Sequence, residues 1–294
     1  MNNIRPNTID LTDASSSVRR ISDQQFTFLS NYLSTKYGLR TPPEKRTLLE
    51  SRLISRLNFL KITTIEDYIK HVFKSERAND EYQFFVDQIT THKTFFFREN
   101  YQFEFLKTIL PDYCKKAGTL RPLNIWSAGC STGEEVYTLG ITFNEKRADI
   151  PLLDYKIVGT DISIPSLRKA AKGFFSTNES ENIPEQLYNK YFHTVDHRRG
   201  PALQFNNPEV TTKISLGVLN LNSKRYNLPF TFDFIFCRNV TIYFDAKTRA
   251  EVLERMVAKL KPGGYLFLGH SETALGTALP LKSIQPTIYQ KTAG

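Results

Sequence analysis

The sequence predicts an α/β protein: a doubly wound, Rossmann-like parallel sheet with an N-terminal all-helical domain and a small antiparallel β insertion. Three observations predict it. No strand signal precedes residue 120. Beyond that point short apolar runs alternate with amphipathic helical stretches, the pattern of a parallel sheet covered by helices. The first of these runs, Leu123 to Ser127, leads through Gly129 and Gly133 into Glu134-Glu135, a strand, a tight turn and a helix N-terminus.

Residues 1–20 are polar, with Ser15-Ser16-Ser17 before Arg19-Arg20, and read as a flexible tail. A helical domain is expected over 21–90. Ser22-Asp23-Gln24-Gln25 has capping-box form, and Phe26, Leu29, Leu33 and Tyr37 follow at helical spacing until Gly38 and Pro42-Pro43 break the chain. A second helix runs from about Glu44 to Leu60, a third starts near Thr64, and a fourth carries Tyr82, Phe85, Val86 and Ile89. Lys45, Arg52 and Arg56 fall on one stripe of the second helix. The stripe is either a solvated face or a docking surface for an acidic helix or a nucleic-acid backbone.

Residues 91–119 read as a linker and a helix. Thr94-Phe95-Phe96-Phe97-Arg98 follows neither helical nor strand periodicity. It is an aromatic linker packed between domains, or a lid with Thr94 and Arg98 facing a ligand. Phe103, Leu106, Ile109 and Leu110 suggest a helix ending near Pro111.

From 120 to 294 the strands are Leu123–Ser127, Lys156–Asp161, Phe232–Cys237 and Gly264–Gly269, with helices over Glu134–Asn144, Ile164–Lys172 and Asp245–Leu260 between them. Short strands around Pro286 finish the sheet. Residues 174–216 break this rhythm and read as a helical turn and a small antiparallel insertion.

Three places in the chain bear on the ligand. Glu134 and Glu135 at the helix start argue against a phosphate in the loop, which would want bare N–H groups and a lysine. Carboxylates there suit hydroxyls, an ammonium or a sulfonium, unless they merely favour the helix macrodipole. Asp161 ends the second strand 28 residues beyond Gly133, where such folds hold ribose hydroxyls. The loop is not Gly-x-Gly-x-x-Gly, so an adenosine ribose without a pyrophosphate is expected, the alternative being that Asp161 is a plain helix N-cap. After the third strand, Arg238, Asn239 and Tyr243 offer donors without an obvious nucleophile or base. They are site residues or structural anchors.

The net charge of +9 implies an anionic partner: nucleic acid, a membrane surface or an acidic protein. Cys114, Cys130 and Cys237 have no paired spacing, which speaks against a zinc site or a disulfide framework and fits a reducing cytosol. No metal is expected. No apolar run reaches membrane-spanning length and no signal-peptide pattern opens the chain, so the expectation is a soluble cytoplasmic protein.

Ser127-Ala128-Gly129-Cys130-Ser131-Thr132-Gly133-Glu134-Glu135, Thr94-x-Phe96-Phe97-Arg98, Phe236-Cys237-Arg238-Asn239-Val240-x-Ile242-Tyr243-Phe244 and Gly269-His270-Ser271-Glu272 together resemble the bacterial chemotaxis receptor methyltransferases of the CheR type. The resemblance runs from about residue 20 to 290 in the family's order. It implies S-adenosylmethionine as cofactor, S-adenosylhomocysteine as product, and glutamate side chains on receptor helices as methyl acceptors. Carried over by position, it implies cofactor contacts from His92, Thr94, Arg98, Glu134, Glu135, Asp161, Asn220, Leu221, Arg238 and Asn239. Arg98, Arg238 and Tyr243 would orient the reacting groups. Lys45, Arg52 and Arg56 would dock the acidic cytoplasmic helices of chemoreceptors, and the insertion would offer a strand edge to a receptor tail peptide. The chain departs from the family at His92, where asparagine is usual, and at Val136, where proline is usual.

Two other functions compete with that expectation. A nucleic-acid methyltransferase suits the charge, but the Asn/Asp-Pro-Pro-aromatic pattern of exocyclic amino methylation is missing. The resemblance argues further against it, and no nucleic-acid partner is expected. A non-catalytic scaffold would keep the fold and bind receptors without transferring a methyl group.

Overall fold

The computed structural model describes residues 20–73, 80–89, 93–117, 121–150, 152–197 and 200–292. The chain divides into two compact units at Thr90/Thr91.

The first unit is helical. Helix α1, Asp23–Tyr37, starts at the expected capping box: the Ser22 hydroxyl accepts from the Gln25 N–H, and the Gln25 side chain accepts from the Ser22 N–H. It stops at Gly38, whose φ of 71° is one that only glycine adopts freely. Pro43–Lys45 forms a 3-10 turn that leads into α2, Arg46–Leu60. Helices α3, Ile65–Phe73, and α4, Asp80–Ile89, follow. Leu29, Leu33, Leu53, Leu57, Ile65 and Val72 are buried, each from the apolar face its spacing predicts.

The basic stripe is not a uniform solvated face. Arg56 makes a two-pronged ion pair with buried Glu81, with bonds of 2.6 to 3.0 Å, and Tyr68 donates to the same carboxylate at 2.7 Å. Arg52 donates to the Gln88 carbonyl at 2.6 Å. Lys45 lies in the turn before the helix and is exposed.

The second unit opens on α5, Tyr101–Ala117. The helix does not end at Pro111 but runs six residues past it. Pro111 removes one backbone bond, while Cys114 is buried in the main core and Tyr113 donates to Asp233 at 3.0 Å. The helix belongs to the second unit's core and is not a free linker.

Then come β1 Leu123–Ala128, α6 Glu134–Lys146, β2 Tyr155–Asp161, α7 Ile164–Lys172, β3 Phe174–Ser176, α8 Glu185–Tyr191, β4 Phe192–His197, β5 Gly200–Phe205, α9 Pro208–Thr211, β6 Ile214–Val218, β7 Phe232–Cys237, α10 Ala246–Lys259, β8 Leu260–Leu268, β9 Leu281–Gln285 and β10 Ile288–Lys291. The main sheet has the order β6-β2-β1-β7-β8-β10-β9. It is parallel from β6 to β8 and antiparallel at β10 and β9. The insertion is a separate antiparallel sheet, β3-β5-β4.

The insertion, expected over 174–216, ends sooner: Ile214–Val218 joins the main sheet, pairing Ile157 with Ile214 and Asp161 with Val218. Strand β6 is short, half-exposed and at the edge, so it carries no apolar run. The chain order reverses between β1 and β7, which makes their carboxyl ends the switch point where such sheets bind ligands. A second core gathers Phe96 and Phe97 with Tyr137 and Ile141 of α6 and with Phe175, Phe192, Leu203 and Phe205 of the insertion.

Candidate active site

The loop after β1 is drawn tightly onto β2. The N–H groups of Gly129 and Cys130 donate to the Thr160 carbonyl at 2.7 and 2.9 Å, and Trp126 Nε1 donates to the Thr160 hydroxyl at 2.9 Å. Asp161 then accepts from the N–H of Ser131 at 2.8 Å and of Ser163 at 2.9 Å. One of its oxygens thus fixes the β1 loop and the other fixes the start of α7. Ser163, not Asp161, is the N-cap of α7. Asn220-Leu221 comes alongside through the bond from Leu219 N–H to the Asp161 carbonyl, 2.9 Å.

Glu134 is buried and takes the Thr132 hydroxyl at 2.6 Å. Glu135 turns under the loop, where it accepts from the Ser127 hydroxyl at 2.6 Å and from Arg238 at 3.2 Å. Burial raises both carboxyls above the ordinary range; hydrogen bonds from Thr132 and charge from Arg238 oppose the rise. Cys130 and Cys237 are buried, and burial pushes their thiols up, so neither is a reactive nucleophile.

Arg238 is the centre of a charged cluster that the sequence did not disclose. Its side chain is 2% exposed and lies between Glu135 at 3.2 Å and Glu99 at 3.4 Å. It also donates to the Arg98 carbonyl and stacks over Phe103, 5.3 Å from the ring centroid. Glu99 in turn accepts from the N–H of His270 at 3.1 Å. The Arg98 guanidinium faces the other way, to the Lys93 carbonyl at 3.0 Å. Phe97, Glu99, Ser131 and Asn239 all have φ between 49° and 59°, in the left-handed region.

The structure therefore brings Thr94, Arg98, Glu134, Glu135, Asp161, Asn220, Leu221, Arg238, Asn239 and Tyr243 into one unit, on the loops at the carboxyl ends of β1, β2, β6 and β7 and on the segment before α5. His92 lies outside the described residues. Lys45, Arg52 and Arg56 lie in the other unit. Glu99, paired with Arg238, and Glu272, bonded to the Asn239 N–H, were not among the expected site residues. Glu99 adjoins Arg98, and Glu272 closes a motif whose spacing gave it no partner.

The residues fit a sulfonium nucleoside. Two buried atoms at the switch point lack hydrogen-bond partners, Arg238 Nε and Asn239 Oδ1: one donor and one acceptor, as an amino-acid carboxylate and ammonium would require. Acids rather than phosphate-binding lysines surround them.

Residues 92–289 match the family model of the CheR methyltransferase SAM binding domain, and residues 24–90 match that of the CheR methyltransferase all-alpha domain. Fold, site and match define an S-adenosylmethionine-dependent methyltransferase. The chain is 35% identical over 255 residues to a chemotaxis protein methyltransferase of Escherichia coli, covering 86% of this chain and 85% of that one. It is 34% identical over 279 residues to that of Borreliella burgdorferi, covering 92% and 95%. It is 35% identical over 255 residues to chemotaxis protein methyltransferase 2 of Pseudomonas aeruginosa, covering 86% and 87%. The chain belongs to the CheR methyltransferase family.

Proposed function

We propose that this enzyme methylates glutamate side chains on the acidic cytoplasmic helices of chemoreceptors, giving methyl esters and S-adenosylhomocysteine. The observation that carries the cofactor end is the cluster of Asp161, Glu135, Arg238 and Asn239 at the switch point, with its unmatched buried donor and acceptor. When bound, S-adenosylmethionine supplies an electrophilic methyl group on sulfur.

Thr94, Arg98, Glu134, Glu135, Asp161, Asn220, Leu221, Arg238 and Asn239 would hold the cofactor, with Asp161 on the ribose and Asn220-Leu221 along the adenine. The acceptor carboxylate is ionised near neutral pH and needs no general base. Its oxygen would take the methyl group of the cofactor held by these residues, which would leave as the neutral thioether S-adenosylhomocysteine, so that the opposite charges would cancel. The protein's work is to desolvate the carboxylate, align it and keep water out. A tight grip on the carboxylate would stabilise the ground state more than the transition state. Arg238, already matched by Glu99 and Glu135, suits this: its charge is spent on geometry. Arg238→Ala and Tyr243→Phe should each lower turnover by roughly tens to thousands at saturating cofactor. Unchanged turnover in both would remove their orienting role.

Lys45 and the α2 surface would meet the receptor helices, and the insertion would pair with a receptor tail peptide through a free strand edge. Titration of such a peptide against the protein tests the tether, which no detectable binding would exclude. Among the described residues no helix is long and apolar enough to cross a membrane, consistent with an acceptor reached from outside the bilayer. The test of the whole reading is incubation with labelled cofactor and receptor-bearing membranes. Base-labile methyl release is expected; label in nucleic acid, or none at all, would refute the glutamate acceptor.

A further inference from the structure

Glu272 lies just beyond β8, with its carboxylate buried at 4% exposure. Its Oε1 accepts from the N–H groups of Val240 at 3.0 Å, Thr241 at 2.6 Å and Ile242 at 3.2 Å, and from the Thr241 hydroxyl at 2.8 Å. Its Oε2 accepts from the N–H of Asn239 at 2.7 Å and of Gly269 at 2.6 Å. A single side chain therefore gathers consecutive N–H groups of the loop after β7 and ties them to the loop after β8.

The loop it gathers needs such a tie. Asn239 stands at φ 59°, a left-handed conformation that asparagine tolerates better than other side chains but that its own chain does not fix, so the surrounding bonds select it. The turn Thr241–Tyr243, which carries Tyr243, begins within the same set of bonds. Gly269 shows how close the parts come: a Cβ there would lie 2.6 Å from the Asn239 nitrogen and 2.7 Å from Glu272 Oε2. The small residue is what lets the carboxylate reach the loop.

We propose that Glu272 is a positioning residue for methyl transfer, holding Asn239 in its left-handed conformation and so aiming Asn239 and Tyr243. It acts through these residues, and the inference rests on the roles given to them above. Glu272→Gln separates this from a role in stability alone. The amide keeps the shape of the side chain but replaces one acceptor by a donor. With its oxygen kept among the Oε1 partners, the NH₂ group faces the N–H groups of Asn239 and Gly269, and the tie to Asn239 is the one that breaks.

Full-length wild type and Glu272→Gln are compared by amide hydrogen exchange over 239–243 and by kcat with labelled cofactor and receptor-bearing membranes. Exchange in that segment should quicken by about tenfold or more while β7 and β8 stay protected. At saturating cofactor kcat should fall by about tenfold or more, and adding Asn239→Ala should lower it little beyond the larger single loss. A folded Glu272→Gln with kcat within about twofold of wild type, or losses that multiply in the double variant, would overturn the proposal. If the amide variant fails to fold, Glu272→Asp, which keeps the charge and shortens the reach, is read the same way. If the wild type transfers no methyl to receptors, the acceptor reading fails and exchange alone decides: unchanged exchange in 239–243 overturns the role of Glu272.

Discussion

At Gly129 the backbone turns with φ 84°, and an added Cβ would collide with Val240 Cγ2, the residue that follows Asn239. The loops after β1 and β7 are thus in van der Waals contact at the switch point, and the glycine serves both the turn and the approach. Gly129→Ala combines a left-handed penalty with overpacking, each about 1–3 kcal/mol. It should lower the thermal midpoint by several degrees and weaken S-adenosylhomocysteine binding, measured by melting and calorimetry. An unchanged affinity would mean that the two loops move apart at no cost to the site. This residue was legible as a turn glycine in the sequence. Its partner Val240 was not, because the two are brought together only by the pairing of β1 with β7.

Among the elements, α2 separates what one stripe of charge had joined. Arg56 is matched by Glu81 and packed over Phe84, 3.7 Å from the ring centroid, so its removal leaves a buried carboxylate without its counter-charge, though still bonded by Tyr68. Arg56→Ala should cost about 3–5 kcal/mol and be read as a loss of stability. Lys45→Glu should leave the melting temperature nearly unchanged and lower receptor methylation by about twofold to fivefold at low salt, the scale of an exposed charge pair. Equal effects of Lys45→Glu on cofactor affinity and on receptor methylation would argue against docking by this surface.

Helices α1, α7 and α10 and strand β7 were legible nearly to the residue, since caps and apolar runs are local signals. Strand β6 was not, because its pairing with β2 is long-range and its exposure is that of an edge. The run past Pro111 was hidden for a similar reason: what sustains it is the packing of Tyr113 and Cys114 on the sheet. Within the site the motif positions were readable, whereas the Arg238–Glu99–Glu135 cluster depends on three segments that only the fold brings together.

At the largest scale, the candidate site and the ion cluster around Asp233 sit at opposite ends of the central strands of the main sheet. Asp233, at the amino end of β7, is fully buried and accepts from Arg121, Lys261, Tyr113 and the Asn124 N–H. Burial alone would raise its carboxyl, but Arg121, Lys261 and the Asn124 N–H outweigh it and hold it below the ordinary 3.8. Its stabilising contribution is therefore complete above about pH 3.8 and is lost as pH falls through the lower folded value. Asp233→Asn should cost about 2–3 kcal/mol at neutral pH, less than a fully buried pair because Arg121 is partly exposed, and should flatten acid unfolding in that window. An acid-unfolding curve identical to wild type would contradict it. The net charge of +9 acts at longer range. Receptor methylation should slow as salt rises from about 0.1 M to 1 M, where the screening length shrinks from about 10 Å to 3 Å. A salt-independent rate would leave the charge without a role in encounter.

The aromatic run before α5 has a practical consequence for protein engineering. Phe96 stacks edge-on against Phe175 and Phe192, at 4.8 and 5.1 Å, so the three-stranded module and the segment bearing Thr94 and Arg98 share one hydrophobic interior. A chimera that exchanged the module between relatives, or a trimmed enzyme that omitted it, would leave these rings uncovered and unseat the segment that carries Thr94 and Arg98. Module and phenylalanines have to be transplanted as one piece.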